Sequence, residues 1–271
     1  MNFTRILGLG SVVLALGLAG PAWAAPCGNG VVEAIYSQIS GGDTVCGISH
    51  ADPVGDPAPA GAIQCWGDNN AGQADSPPGT FTQASKGYRH GVAINSAGEL
   101  ECWGASDPCS SIPSGTFTQV SAGDSFTCAL NSSWQLECWG AGETDDNCSY
   151  PTEACGQSMP PAGTFVQVAA GGSHACAINI QGGIECWGQE DHSSDYSDST
   201  ASPGTCSDPA YTAQHWCETW GETWTDGLTG TFTQVVTGAY RNCALRIWGQ
   251  WRPGNRDSGD IVCWGNNQWG S

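Results

Sequence analysis

The chain is poor in positive charge. Seven Lys+Arg stand against 26 Asp+Glu, for a formal net charge of −19. Proteins that grip phosphate backbones or anionic membrane surfaces need the opposite balance, so both roles are disfavoured. Cys-x-x-Cys is absent, which argues against a zinc ribbon. Gly-x-Ser-x-Gly is absent too, so there is no nucleophile elbow. Beyond the first two dozen residues no segment is apolar enough to cross a bilayer. Lysine is scarce and glycine reaches 39 residues, a balance that suits a turn-rich β protein better than a helical one.

Residues 1–24 read as a signal peptide. Arg5 supplies the positive start, Ile6–Leu18 the apolar run, and Ala22-Trp23-Ala24 the small-x-small cleavage form. The mature chain is expected to start at Ala25, with a net charge of 6 − 26 = −20 once Arg5 has gone. Its destination is then outside the cytoplasm: secreted, periplasmic or at the cell surface. Pro26 stands where a lipid-anchor signal at Cys27 would need a small residue. Fifteen cysteines in an exported chain imply disulfides, and the odd count leaves one over.

The organising text is Gly115–Gly140, GTFTQVSAGDSFTCALNSSWQLECWG. Near copies run over Gly79–Gly104, Gly163–Gly188 and, stretched, Gly230–Gly265, with a looser one over Tyr36–Gly67. Within the template, Phe117–Val120 alternates apolar and polar, Ala122-Gly123-Asp124 turns, Phe126–Leu130 is a second strand and Leu136–Trp139 a third. A short fourth strand is expected in the variable segment that follows. The unit has the size of a propeller blade, and stacking explains why it recurs, because one blade cannot bury both its faces. After a lead-in at 25–35, the expected domain is 36–271. Its copies run at about 36–78, 79–114, 115–162, 163–229 (with a long insertion) and 230–271. The fold expected is all-β: a disulfide-stapled β-propeller of about five four-stranded blades, as a closed ring or an open arc.

Aligned copies put Tyr36, Phe81, Phe117, Phe165 and Phe232 at one position and Trp66, Trp103, Trp139, Trp187 and Trp264 at another, both read as packing. Cys46/Cys65, Cys128/Cys138, Cys176/Cys186 and Cys243/Cys263 fall on strands two and three of their copies. Facing residues there come within disulfide reach. Val92 replaces the strand-two cysteine in the second copy, so Cys102 is expected to pair with Cys109. Cys148/Cys155 and Cys206/Cys217 would close loops, leaving Cys27 over.

The pattern F-x-x-V-x-A-G…C-A-L…G-x-(V/I/L)-E-C-W-G, with Asn69-Asn70-Ala71-Gly72-Gln73 after the first copy, resembles the repeats of the regulator of chromosome condensation superfamily. It is most similar to an exported bacterial branch whose copies carry paired cysteines. The resemblance covers Tyr36 to the C-terminus and implies a β-propeller, usually of seven blades. It also implies likeness in architecture to a β-lactamase inhibitor built of similar repeats. The family's nuclear exchange-factor role does not fit an acidic, cysteine-rich, exported chain, and fold alone does not fix function.

His90 and His174 occupy one repeat position and read as structural, whereas His50, His192 and His215 are scattered. Asp191, Asp195 and Asp198 are a weak calcium candidate without EF-hand spacing. No cofactor is implied. The last copy expands its hairpin to carry Arg246, Trp248, Trp251, Arg252 and Arg256, and a second aromatic cluster is Trp216, Trp220 and Trp224. Trp and Arg dominate binding hot spots, so these are the candidate contact residues. The reading that results is a non-catalytic recognition module for a protein or glycan, with neither nucleic acid nor membrane as partner. The alternatives are a secreted saccharide hydrolase with two carboxylates at the propeller mouth, and a structural surface protein.

Overall fold

Aromatic and β-branched residues alternating with polar ones, broken every few residues by glycine, dictate short strands joined by tight turns. The structure, a computed structural model, describes residues 36–41, 44–49, 60–142, 156–188, 204–206, 224–226, 228, 230–239, 241–247 and 259–265. Five antiparallel sheets of three strands follow one another along the chain. Sheet one holds β1 (Tyr36–Gly41), β2 (Thr44–Ser49) and β3 (Ile63–Gly67). Sheet two holds β4 (Phe81–Lys86), β5 (His90–Asn95) and β6 (Leu100–Gly104). Sheet three holds β7 (Phe117–Ala122), β8 (Phe126–Asn131) and β9 (Leu136–Gly140), and sheet four holds β10 (Phe165–Ala170), β11 (His174–Asn179) and β12 (Ile184–Gly188). A two-stranded ribbon, β13 (Gly204–Cys206) with β14 (Trp224–Asp226), precedes sheet five of β15 (Thr231–Thr237), β16 (Arg241–Ile247) and β17 (Asp260–Gly265).

The sheets stack face on face in chain order. Phe and Trp of one copy form a leading face that covers the trailing face of the copy before it. Phe165 and Ala177 of sheet four, for example, lie on Phe126, Cys128 and Leu130 of sheet three. Four such interfaces form the core. Phe126 and Phe165 are fully buried, each contributing roughly 2–3 kcal/mol of burial free energy. Polar side chains tie the stack as well. Gln119 Nε2 donates to Val168 O (3.0 Å) while Val168 N donates to Gln119 Oε1 (2.9 Å). Gln83 clasps Val120 in the same way, and Gln167 clasps Val235. Ser40, Ser85 and Ser121 hydroxyls accept from Lys86 N, Ala122 N and Ala170 N of the next sheet.

The expected register of the cysteines holds. Cys46, Cys128, Cys176 and Cys243 lie directly opposite Cys65, Cys138, Cys186 and Cys263, bonded at Cα separations of 4.0–4.1 Å. Cys102 bonds Cys109, Cα–Cα 5.4 Å. Cys148, Cys155 and Cys217, and with them the two loop pairs, lie outside the described residues, as does Cys27.

The fourth strand expected in each blade is not formed among the described residues. Two fully described intervals show why. After β3, Asn69 Oδ1 accepts from Ala74 N, Gln73 Oε1 accepts from Ala71 N, and Pro77-Pro78 have no N–H to give. The backbone's donors are therefore spent locally or missing, and no ladder can grow there. After β6, a short helix, α1 (Ser106–Cys109), fills the place, clipped by the Cys102–Cys109 bond. These segments have a packing role of their own. The indole of Trp103 donates to Gln73 O, and that of Trp187 to Gln157 O, both at 3.0 Å. Trp139 follows the interval that holds α1 instead, and its buried Nε1 has no partner among the described residues.

Candidate binding site

Two surfaces compete as functional sites: the axial mouth and the hairpin rim. At the mouth, the turns after β1, β4, β7, β10 and β15 surround a cavity of about 340 Å³. Its walls are mostly Gly and Ala, with Lys86, Tyr88 and Asp124 the larger side chains. Lys86 Nζ spends its three protons on the carbonyls of Gly87 (2.6 Å), Tyr88 (3.3 Å) and His90 (3.0 Å). Burial lowers the ammonium to about 8, against an opposing pull from Asp68. The cation is thus committed to its own turn, and Asp124 is the cavity's single carboxylate among the described residues. Glycoside hydrolysis would need a pair.

The histidines lie between sheets. His90 Nε2 bonds Thr127 Oγ1 at 2.8 Å, and His174 Nε2 bonds Asn242 Oδ1 at 2.7 Å. Both rings are buried, so the structural role expected of them is what the geometry gives. Burial, with the Lys86 charge second, lowers His90 to about 4. The folded value lies below the unfolded 6.5, so the unfolded chain binds the proton first as pH falls. Stability is therefore full above about 6.5 and declines through the window down to about 4, by roughly 3 kcal/mol in all. Chemical denaturation at pH 7 and pH 4 should show His90→Gln losing less stability than the parent by about that amount.

At the opposite end, the hairpins between strands two and three follow one design. Asn95, Asn131 and Asn179 each accept two backbone N–H bonds across their loop through Oδ1, at 2.9–3.1 Å. Their Nδ2 groups reach Glu101, Glu137 and Glu185 on strand three. The third loop residue has positive φ: Gly98 at 86° and Gly182 at 84°. In sheet three that position is Trp134, at φ 64° and 51% exposed. Sequence reading passed over it. The signal was there, a Trp where the aligned copies have Gly.

Trp134 has apolar company. Its carbonyl accepts from Phe165 N, beside exposed Val166, and Ile180 N donates to Thr164 O one residue earlier. Ile247 occupies in sheet five the repeat position of Ile180 and is exposed as well. In sheet five Arg246 replaces the capping Asn, and its guanidinium meets Asp260 at 3.6 Å across the β16–β17 pair. Trp224 lies in β14, in register with Cys206. Trp248, Trp251, Arg252, Arg256, Trp216, Trp220, Asp191, Asp195, Asp198, His50, His192 and His215 lie outside the described residues. Among the described residues no cluster of His, Cys, Asp or Glu could hold a metal ion.

Residues 165–193 match the model of the regulator of chromosome condensation (RCC1) repeat. No curated protein matches the sequence. Among solved structures, the chain is similar to the entire ectodomain of the Physcomitrella patens receptor kinase CR4, at 18% identity and TM-score 0.57, covering 88% of this chain and 52% of that one. The ectodomain of the Arabidopsis thaliana receptor kinase ACR4 follows at 20% identity and TM-score 0.54, over 86% and 65%. Prp20p of Saccharomyces cerevisiae, described with its binding to Gsp1p and histones, aligns at 15% identity and TM-score 0.51, over 76% and 55%. At these identities the likeness speaks for the fold alone, and this chain spans 52–65% of their lengths.

Proposed function

We propose that this chain of RCC1-type repeats is an exported, non-catalytic module that captures a protein partner along its hairpin rim. The observation that carries the reading is Trp134. A bulky residue held at positive φ costs on the order of 1 kcal/mol that glycine would not. Half of the indole stays in solvent at the tip of a rigid loop, where it is available to a partner. Val166, Ile180 and Ile247 are further exposed apolar residues of sheets four and five, and in the sequence Ile247 is followed by Trp248, Trp251 and Arg252. Aromatic and Arg anchors on a rigid scaffold are what interface hot spots are made of.

Five cystines support an oxidising compartment. Two of the similar structures are receptor ectodomains, which agrees with that placement. The test is Trp134→Gly. It should leave stability within about 1 kcal/mol of the parent while weakening capture of the partner from culture medium by tenfold or more. A combined change of Trp248, Trp251 and Arg252 to Ala should abolish capture without lowering the melting temperature. If Trp134→Gly binds as the parent does, the rim is not the site. Loss of capture after periodate treatment of the partner would move the reading to a glycan.

A further inference from the structure

Sheets one to four each have their trailing face covered by the next sheet. Among the described residues no sheet follows to cover sheet five. Val236 and Ile261 are 38% and 73% exposed, although Val236 occupies the repeat position of buried Ala169. Leu245 and Cys243 are half-buried where Leu130 and Cys128 are sealed, and Cys263 is exposed. Sheet one has the converse surface. Its leading face carries Tyr36 and Trp66, ring centroids 5.4 Å apart, with Gln64 accepting from the Tyr36 hydroxyl. Both rings are half-buried, whereas their counterparts Phe117 and Trp139 are covered.

We propose that the trailing face of sheet five receives the leading face of sheet one from a second copy of this chain, head to tail. Four interfaces inside the molecule show the chemistry that covers such a trailing face: one Phe, one Trp and small residues between them. The leading face of sheet one is a surface of that kind left open. Charge selects the same pair. Among the described residues the first copy holds Asp68 and Asp75 and no Lys or Arg, while the last copy holds Arg241 and Arg246 against Asp260. The molecule's own sheet one faces sheet five across the axial cavity and leaves Ile261 open. Ile261 and Trp66 are on outer strands, β17 and β3, where a neighbouring molecule has access. Because the two faces differ, each copy that joins presents a fresh trailing face, and the contact does not close at two.

Sedimentation velocity of the full oxidised chain over roughly 1–200 µM tests this. The expected mass climbs past the dimer with concentration, and falls back in about 0.5 M salt, where charge attraction is screened within a few ångströms. Ile261→Asp blocks one face and Gln64→Lys the other. Each alone should stay monomeric, with affinity down at least about tenfold, while an equimolar mixture should form a dimer and stop there. A parent that stays monomeric, a parent that stops at a dimer, or a mixture no more associated than its components overturns the proposal. So does an Ile261→Asp monomer that melts several degrees below the parent at unchanged mass, which would make the molecule's own sheet one the cover. Trp134 takes no part in this contact, so the rim reading and this one fail separately.

Discussion

Gly123→Ala is expected to cost at least about 3 kcal/mol, a drop of roughly 6–12 °C in melting temperature. Gly123 closes the turn between β7 and β8, and its backbone is not in the left-handed region, so the penalty is one of space. A Cβ there would lie 2.6 Å from Gly171 O and collide with the Phe126 ring. Gly171 O belongs to the backbone of the next sheet and cannot rotate away. Gly87 abuts Gly123 O in the same way, and Gly171 abuts Gly238 O, so the repeated glycine sets the distance between successive turns. Gly98→Ala, by contrast, would meet no heavy atom closer than 3.5 Å, and its cost would be that of positive φ alone, about 1 kcal/mol. Thermal unfolding of the two variants side by side separates crowding from backbone strain. Equal midpoints would remove this account of the turn glycines.

Gln119→Leu is expected to cost about 4 kcal/mol. The substitution keeps the volume and removes the clasp, leaving Val168 N–H and C=O unpaired in a buried place, each worth about 1–3 kcal/mol. Gln234 occupies the same repeat position in sheet five, where no following strand is present to receive a clasp among the described residues. Gln234→Leu should therefore change stability by less than about 0.5 kcal/mol in the dilute monomer. Urea denaturation of both variants decides the matter. A large loss at Gln234 would mean that sheet five is clasped after all.

Most of the architecture could be read from the text because stacked repeats report their contacts several times over. The Phe and Trp positions, the paired cysteines and the turn glycines recur in register, and each takes the place in space that its repetition implied. Cys102 and Cys109 followed from Val92, since a missing sulfur forces its partner elsewhere. In the two described intervals, after β3 and after β6, the fourth strand was misread because the variable segments were judged by length. Their Asn, Asp, Gln and Pro content already says that side chains satisfy the backbone there. The glutamine position recurs in every copy, as Gln38, Gln83, Gln119, Gln167 and Gln234, and was taken for the polar side of a half-buried strand, whereas Gln83, Gln119 and Gln167 clasp the next sheet. Period-two alternation cannot tell solvent from a neighbouring sheet. Trp134 was missed for another reason. A search for expanded loops overlooks an unusual residue in a loop of ordinary length.

The covalent clip between the second and third strands of four of the five sheets has a mechanical consequence. Because the described sheets pack chiefly against the one before and the one after, a pull on the two termini should detach them one at a time, giving a sawtooth of separate rupture events. The segment between each pair of bonded sulfurs cannot be paid out under load, so every tooth is shortened by that length. Adding a reductant would lengthen the teeth, and their spacing would then report which clip had been cut.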